Sequence, residues 1–294
     1  MEDYKVIHAP GISIPDRIGA LLFNRNQYFS IFKNYEIHQF LLESRSGKPL
    51  AKLNVALYGK TAFNPLLAPF GGIEFDGKLD INSLEWFLSE IKSTANSLGW
   101  ENVRITNFPE AYNYDQYKLL EKSFLNAGFE RIERQPNWLF FLDEPIVAHH
   151  IKNDELEFVY EEEFDLQDIF KFISEQRPKQ GYEFRLGFED FFGFFTALPE
   201  SHTLFVLKNK GKIIAVLTGV LVTDQIMYAF PAAYNPEEAT LDQMLFFYRC
   251  LFTLLKENGF HLFDVGTIFN TQDKLIFNQL GAIKSYKNTF EVEI

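Results

Sequence analysis

The sequence predicts a mixed chain of the α+β class, built as two tandem domains that each hold a mixed, mainly antiparallel sheet flanked by helices. Three observations predict it. First, the pattern around three glycines recurs in order. "ESRSGKPLAKLNVAL" with Gly47 parallels "VLKNKGKIIAVLTGV" with Gly211. "SLGWENVRIT" with Gly99 parallels "ENGFHLFDVG" with Gly259, and Gly128 of "KSFLNAGFERIERQPNWLFFL" parallels Gly281 of "KLIFNQLGAIKSYKNTFEVEI". The members of each pair lie 164, 160 and 153 residues apart, the signature of a duplicated domain. Second, each half reads as a hairpin, a third strand, a helix, a strand, a helix and a strand. Early strands joined by tight turns are antiparallel, which excludes a simple doubly wound sheet. Third, 294 residues fit two domains of about 150 each, placed at 1–147 and 148–294.

The elements follow in order. Pro10, Gly11 and Pro15 punctuate an irregular entry. "YEIHQFLLES" and "PLAKLNVALYG" are strands about an "RSGK" turn. The loop "FNPLLAPFGGIEFDGKLD" comes next. A helix then opens at Asn82, with Glu85 as a capping-box partner. Leu84, Phe87, Leu88, Ile91, Ala95 and Leu98 recur along it at helical spacing. Gly99 is placed to end that helix in the left-handed conformation. "ENVRIT" is a strand, "YDQYKLLEKSFLNAG" a helix and "NWLFFLD" a strand. "EPIVAHHIKNDELE" reads as the linker. The second half adds the helices "DLQDIFKFISEQ" and "FEDFFGFFTAL", a hairpin turning at Lys210-Gly211, and the strand "DQIMYAFPAA". A further helix is capped by Thr240 with Gln243. The strand "HLFDVGT", the helix "DKLIFNQLG" and the strand "KNTFEVEI" close the chain.

Composition narrows the function. At 47% hydrophobic the chain is globular rather than disordered. Its 33 phenylalanines fit a Phe-rich core, with an apolar channel for an acyl or lipid-like substrate as the alternative. A net charge of −12 repels phosphate backbones and disfavours a large nucleic-acid footprint. Cys250 stands alone, so no disulfide framework exists, and its place between Arg249 and Leu251 in an apolar helix reads as core. The N-terminal sequence lacks an apolar run and no stretch matches a membrane span, which leads to the expectation of a cytoplasmic protein. The pair His149-His150 has no ligand set at metal spacing, so no metal is expected.

The order of elements resembles the GNAT acyltransferase fold, most clearly in "GKIIAVLTGVLVTDQIMYAFPAAYNPEEAT" and "LKENGFHLFDVGTIFN…FNQLGA". Two GNAT-like halves are similar to Fem-type aminoacyltransferases of peptidoglycan bridge synthesis and to related bacterial GNAT-like proteins. The resemblance covers nearly the whole chain. It implies an acyl- or aminoacyl-transferase acting on an amine of a cell-wall or surface-glycan precursor, with acyl-CoA or aminoacyl-tRNA as donor. The acidic charge disfavours tRNA. Two alternatives stand beside it: a coenzyme-A-dependent N-acetyltransferase, and an inactive duplicated binding module.

Three departures bear on that choice. Acetyl-CoA-using members of the fold hold the pyrophosphate on a glycine-rich loop before the third helix. The second half has "PAAYNPEEAT" there, with Glu237 and Glu238 and no glycine. The first half has Gly71, Gly72 and Gly77, either a bend in the chain or a cradle for an anionic or carbonyl group. The tyrosine that often protonates the thiolate is replaced by Phe124 and Phe277. Phe277 also departs from the basic residue common near that position in Fem-type proteins, whereas Asn270 matches an asparagine frequent in acetyltransferases.

Acyl transfer needs substrates within reach, a proton acceptor and an oxyanion donor. Asp264 and Thr267, at a strand end, are the candidate base or substrate anchor, or else a turn that bonds its own backbone. Arg104 sits mid-strand, where a charge faces water or meets an anion. Arg177, Lys179, Tyr182 and Arg185 form the one basic cluster in an acidic chain and read as a phosphate or carboxylate anchor. The resemblance places them beside the acceptor. Tyr234 and Tyr112 are loop tyrosines that serve as donors or packing.

Overall fold

A computed structural model of the chain describes residues 4–16, 18, 21–143, 155–160 and 163–294. It divides into two compact units, Met1–Gln135 with Ser285–Ile294, and Pro136–Lys284. The first therefore takes the last ten residues, which the sequence reading leaves in the second half. Most of the linker segment, with His149 and His150, lies outside the described residues.

Unit 1 begins with β1 (Lys5–Pro10), the short α1 (Asn26–Phe29), β2 (Glu36–Glu43) and β3 (Pro49–Tyr58). β1 is a true strand, antiparallel to β2 throughout, although its Pro10 and lack of alternation read as irregular. Next come β4 (Thr61–Asn64), β5 (Glu74–Phe75), α2 (Ile81–Ser97), β6 (Asn102–Thr106), α3 (Tyr114–Asn126) and β7 (Glu130–Phe141). The α2 cap is Asp80, not Asn82: its side chain accepts from the Ser83 N–H at 2.8 Å. A carboxylate offers the stronger acceptor to that orphan donor and suits the helix dipole. The buried faces of α2 and α3 carry Leu84, Phe87, Leu88, Ile91, Leu120 and Phe124, all inaccessible to solvent. The sheet runs β1-β2-β3-β4-β6. Its β4–β6 pair is parallel from Thr61↔Asn102 to Asn64↔Ile105, and Gly71 returns to bridge Asn107.

Unit 2 holds β8 (Leu156–Tyr160), α4 (Leu166–Lys179), α5 (Phe188–Ala197), β9 (His202–Asn209), β10 (Lys212–Leu221) and β11 (Ile226–Tyr234). α6 (Leu241–Glu257), β12 (Leu262–Gly266) and α7 (Thr271–Gln279) follow. Its sheet runs β12-β11-β10-β9-β8, with Trp138–Phe141 of β7 antiparallel to β12. The β9–β10 turn places both Lys210 and Gly211 at positive φ, 52° and 77°, the demand of a two-residue hairpin turn. Thr240 and Gln243 form the expected capping box on α6. Met244, Leu251, Phe252 and Leu255 of α6 pack with Phe140, Phe263 and Phe277, so the phenylalanines build core here.

The closing strand β13 (Ile283–Glu293) pairs antiparallel with β6, from Thr289↔Thr106 to Glu293↔Asn102. The two halves repeat one order of elements. The glycine pairs also share a conformation: Gly47, Gly99, Gly128, Gly211, Gly259 and Gly281 all have φ between 72° and 84°.

Candidate functional site

The chemistry of unit 2 gathers where β11 and β12 part. They are parallel neighbours only from Ile226↔Leu262 to Tyr228↔Asp264. β11 then runs on beside β10 while β12 ends at Gly266. Beyond that point the carbonyls on the open edge of β11 need other donors. Side chains from the end of α4 supply them. The Arg177 guanidinium donates to the Ala232 carbonyl at 2.7 Å, and Gln180 Nε2 to the Tyr234 carbonyl at 2.5 Å.

The Arg177 guanidinium stands over the Tyr182 ring, 4.6 Å from its centroid, a cation–π arrangement. Burial lowers its pKa from the ordinary value. Among the described residues no carboxylate lies within ion-pair distance of it. The Tyr182 hydroxyl donates to Asp273 Oδ2 at 2.5 Å, and Asn270 Nδ2 donates to the same oxygen at 2.8 Å. The Tyr234 hydroxyl also acts electrostatically on this carboxylate. Burial pushes the Asp273 pKa up, against the opposing pull of these three groups and Arg177. Both tyrosine hydroxyls are pushed well above their ordinary range, first by burial and then by the Asp273 charge, so they stay protonated donors. Asn270 is also the N-cap of α7, accepting from the Asp273 N–H at 2.7 Å.

Beside this cluster, Asp264 is wholly buried. Asn137 Nδ2 reaches both its oxygens at 2.7 Å, and the Gly266 N–H donates to Oδ1 at 2.6 Å. Gly266 has φ 75°, and a β-carbon there would strike the Tyr228 hydroxyl. The Thr267 hydroxyl is enclosed and has no hydrogen-bond partner among the described residues.

The structure thus brings together Arg177, Tyr182, Tyr234 and Asn270, with Asp264 and Thr267 next along the chain. Tyr234 ends β11 and is buried, not a loop residue. Lys179 and Arg185 are exposed, and Arg185 is engaged by Glu183 at 2.7 Å; the basic cluster of the sequence is therefore divided. Arg104 is half-exposed and its anion is internal, Glu291 at 2.6 Å.

Gly71 and Gly72 also have an internal explanation. The Gly71 N–H donates to the Thr106 carbonyl at 3.0 Å and the Gly72 N–H to Asn64 Oδ1 at 2.5 Å. The β-carbon positions are filled by Asn64 and Asn24 at Gly71 and by Asn107 at Gly72. Both amides are spent, which leaves neither for a pyrophosphate. In unit 2 the corresponding loop is likewise occupied: Asn235 accepts the Glu237, Glu238 and Ala239 amides, and Glu238 pairs with Lys212. Phe124 and Phe277 lie in the cores.

Asp273, Asn137 and Gln180 went unnoticed in the sequence. Asp273 carries one signal, its position three residues after a helix-capping Asn. The partners of Asn137 are distant in sequence.

Fold and site define the class: a tandem GNAT fold of mixed α and β structure over nearly the whole chain. A crystal structure of FemX is similar at a TM-score of 0.70 and 10% identity, with 95% of this chain and 93% of that one covered. L-PGS from Bacillus licheniformis gives 0.60 at 14% identity, covering 93% and 87%. A tandem GNAT protein from the clavulanic acid biosynthesis pathway gives 0.58 at 13%, covering 98% of each. No protein-family model and no curated protein matches the chain. Among the described residues no helix is long and apolar enough to cross a membrane.

Proposed function

We propose that the protein transfers an acyl or aminoacyl group to an amine acceptor, and that the polar cluster of unit 2 is its site. The observation that carries this is Arg177. Its guanidinium has five donors, makes one hydrogen bond to Ala232, and stands over the Tyr182 ring. Such a group is built for a bidentate anion. The acceptor is therefore an amine-bearing molecule that carries phosphate or carboxylate, as a nucleotide-linked cell-wall or surface-glycan precursor does.

Asp273 and Tyr182 handle the proton. As the amine attacks the acyl carbonyl it must lose one proton. The Tyr182 oxygen accepts it while the Tyr182 hydroxyl proton passes to Asp273, whose raised pKa suits it to the task. As the tetrahedral adduct collapses, the proton returns by the same path to the departing oxygen of the donor, and Tyr182 and Asp273 end as they began. Asn270 positions Asp273 from the α7 cap. Lys179 and Arg185 add positive potential at the rim. Asp264 supports the adjoining turn through Gly266. The spent amides of Gly71 and Gly72 favour a donor other than acyl-CoA, aminoacyl-tRNA by class, with the acidic surface limiting contact to the acceptor end. Fem-type relatives of the fold support a bacterial, cytoplasmic setting.

The test is the melting temperature with acetyl-CoA, with a longer acyl-CoA and with a nucleotide-sugar precursor, each alone. The reading predicts a rise with the precursor only, lost in Arg177→Met, which keeps an unbranched side chain without the charge. A rise with acyl-CoA that survives this substitution would make the protein a conventional coenzyme-A enzyme.

A further inference from the structure

Two enclosed oxygens in unit 2 lack hydrogen-bond partners among the described residues: Asn137 Oδ1 and Thr267 Oγ1. The β7–β12 ladder ends at the antiparallel pair Trp138↔Gly266, and Asn137 and Thr267 are the next residue on each chain segment beyond it. Asn137 is wholly buried, while Thr267 is part-exposed with only its hydroxyl enclosed. The pair thus adjoins solvent at one end. Buried polar atoms without partners are rare and call for a missing ligand or water.

The chemistry of the pair restricts the ligand. The Asn137 amide nitrogen is fixed on Asp264, 2.7 Å from each oxygen. Its oxygen therefore faces the other way and can only accept. The Thr267 hydroxyl beside it can accept or donate. The pair therefore takes a group that brings at least one donor for Asn137 Oδ1, and the Asp264 carboxylate behind Asn137 favours an amine, which can carry positive charge, over a hydroxyl, which cannot.

We propose that Asn137 and Thr267 form the subsite for a primary amine, the reacting amine of the acyl acceptor. The assignment rests on the transferase reading above and extends it to a residue pair that the sequence does not reveal. Two N–H groups held by fixed acceptors leave the nitrogen lone pair aimed away from them, the orientation that attack on a carbonyl requires. Thr267 lies three residues before Asn270, so the subsite and the Asp273 cluster share one connection.

Ethylamine and propylamine, tested against ethanol and propanol, which have a hydroxyl for the amine, decide the matter by thermal shift and titration. The amines are expected to stabilise the protein and the alcohols are not. Thr267→Val should weaken amine binding roughly five- to tenfold, the loss of one hydrogen bond. The same change should raise the melting temperature of the unliganded protein, because a methyl replaces an unpartnered hydroxyl. Asn137→Leu provides the second variant, read by amine affinity in whichever variant stays folded. Amines that bind wild type and Thr267→Val equally, or no amine binding at all, would overturn the subsite and leave the two oxygens as a water position. If acyl transfer is found but the amine KM is unchanged in Thr267→Val, the subsite fails and the transferase reading stands. If amines bind through Thr267 but no donor is turned over, the transferase reading fails and the subsite stands.

Discussion

Glu74→Gln should abolish a neutral-pH loss of stability in unit 1. Glu74 is buried in β5 and accepts the Leu21 N–H at 2.9 Å. Burial raises its pKa to about 7 from an ordinary 4.5, outweighing the Leu21 hydrogen bond and the nearby Lys52. Between those two values the folded chain holds a proton that the unfolded chain has released. Stability is therefore fully present below about 4.5 and falls as pH rises to about 7. A gap of that size corresponds to about 3 kcal/mol. Glutamine keeps an acceptor for Leu21 without the charge. At pH 8 the variant should be more stable than wild type by up to about 3 kcal/mol, and at acid pH the two should converge. Denaturant unfolding across this range, in a Trp138→Phe background so that Trp86 and Trp100 report unit 1, measures the difference. Parallel stability–pH curves for variant and wild type would refute the reasoning.

Three further outcomes follow from the geometry. Gly266→Ala meets both a positive φ and the Tyr228 hydroxyl, so it should cost about 2–3 kcal/mol by unfolding; Tyr228→Phe should recover the steric part only. Arg104→Ala removes a half-exposed pair with Glu291. It should change stability by under about 1 kcal/mol and leave precursor affinity, by titration, unaltered. Asp273→Asn keeps an oxygen for the Tyr182 hydroxyl but cannot take up a proton. Turnover should fall about 10²- to 10⁴-fold with precursor affinity retained, read by single-turnover rates beside binding titration.

The duplicated order of elements was legible because hairpin turns, capping residues and helix-ending glycines are local signals. Thr240 with Gln243, Lys210-Gly211 and the three glycine pairs all act within a few residues. The site was legible only in part. Arg177 and Tyr182 stand out as a basic and an aromatic residue close in sequence, yet a sequence cannot separate a buried Arg177 from an exposed Arg185. That distinction depends on where β12 leaves β11 and uncovers the Ala232 carbonyl. Arg104 misled because its counter-ion, Glu291, is 187 residues away. Gly71 and Gly72 have a related explanation: the nearby Asn64 and the sequence-distant Asn24 and Asn107 fill the space their missing β-carbons leave. The last strand reads with the second half because its covalent neighbour is α7, whereas its hydrogen-bond partner is β6.

The most direct test of the central claim is acyl transfer itself, measured with an aminoacyl-tRNA donor and a nucleotide-sugar peptide acceptor, for wild type and Arg177→Met. The account predicts turnover by wild type and a KM for the acceptor about 10- to 100-fold higher in the variant, the worth of a charge-assisted hydrogen-bond pair, with a modestly lower melting temperature because the Ala232 carbonyl loses its donor. Turnover that is indifferent to Arg177, or that proceeds only with acetyl-CoA, would contradict it.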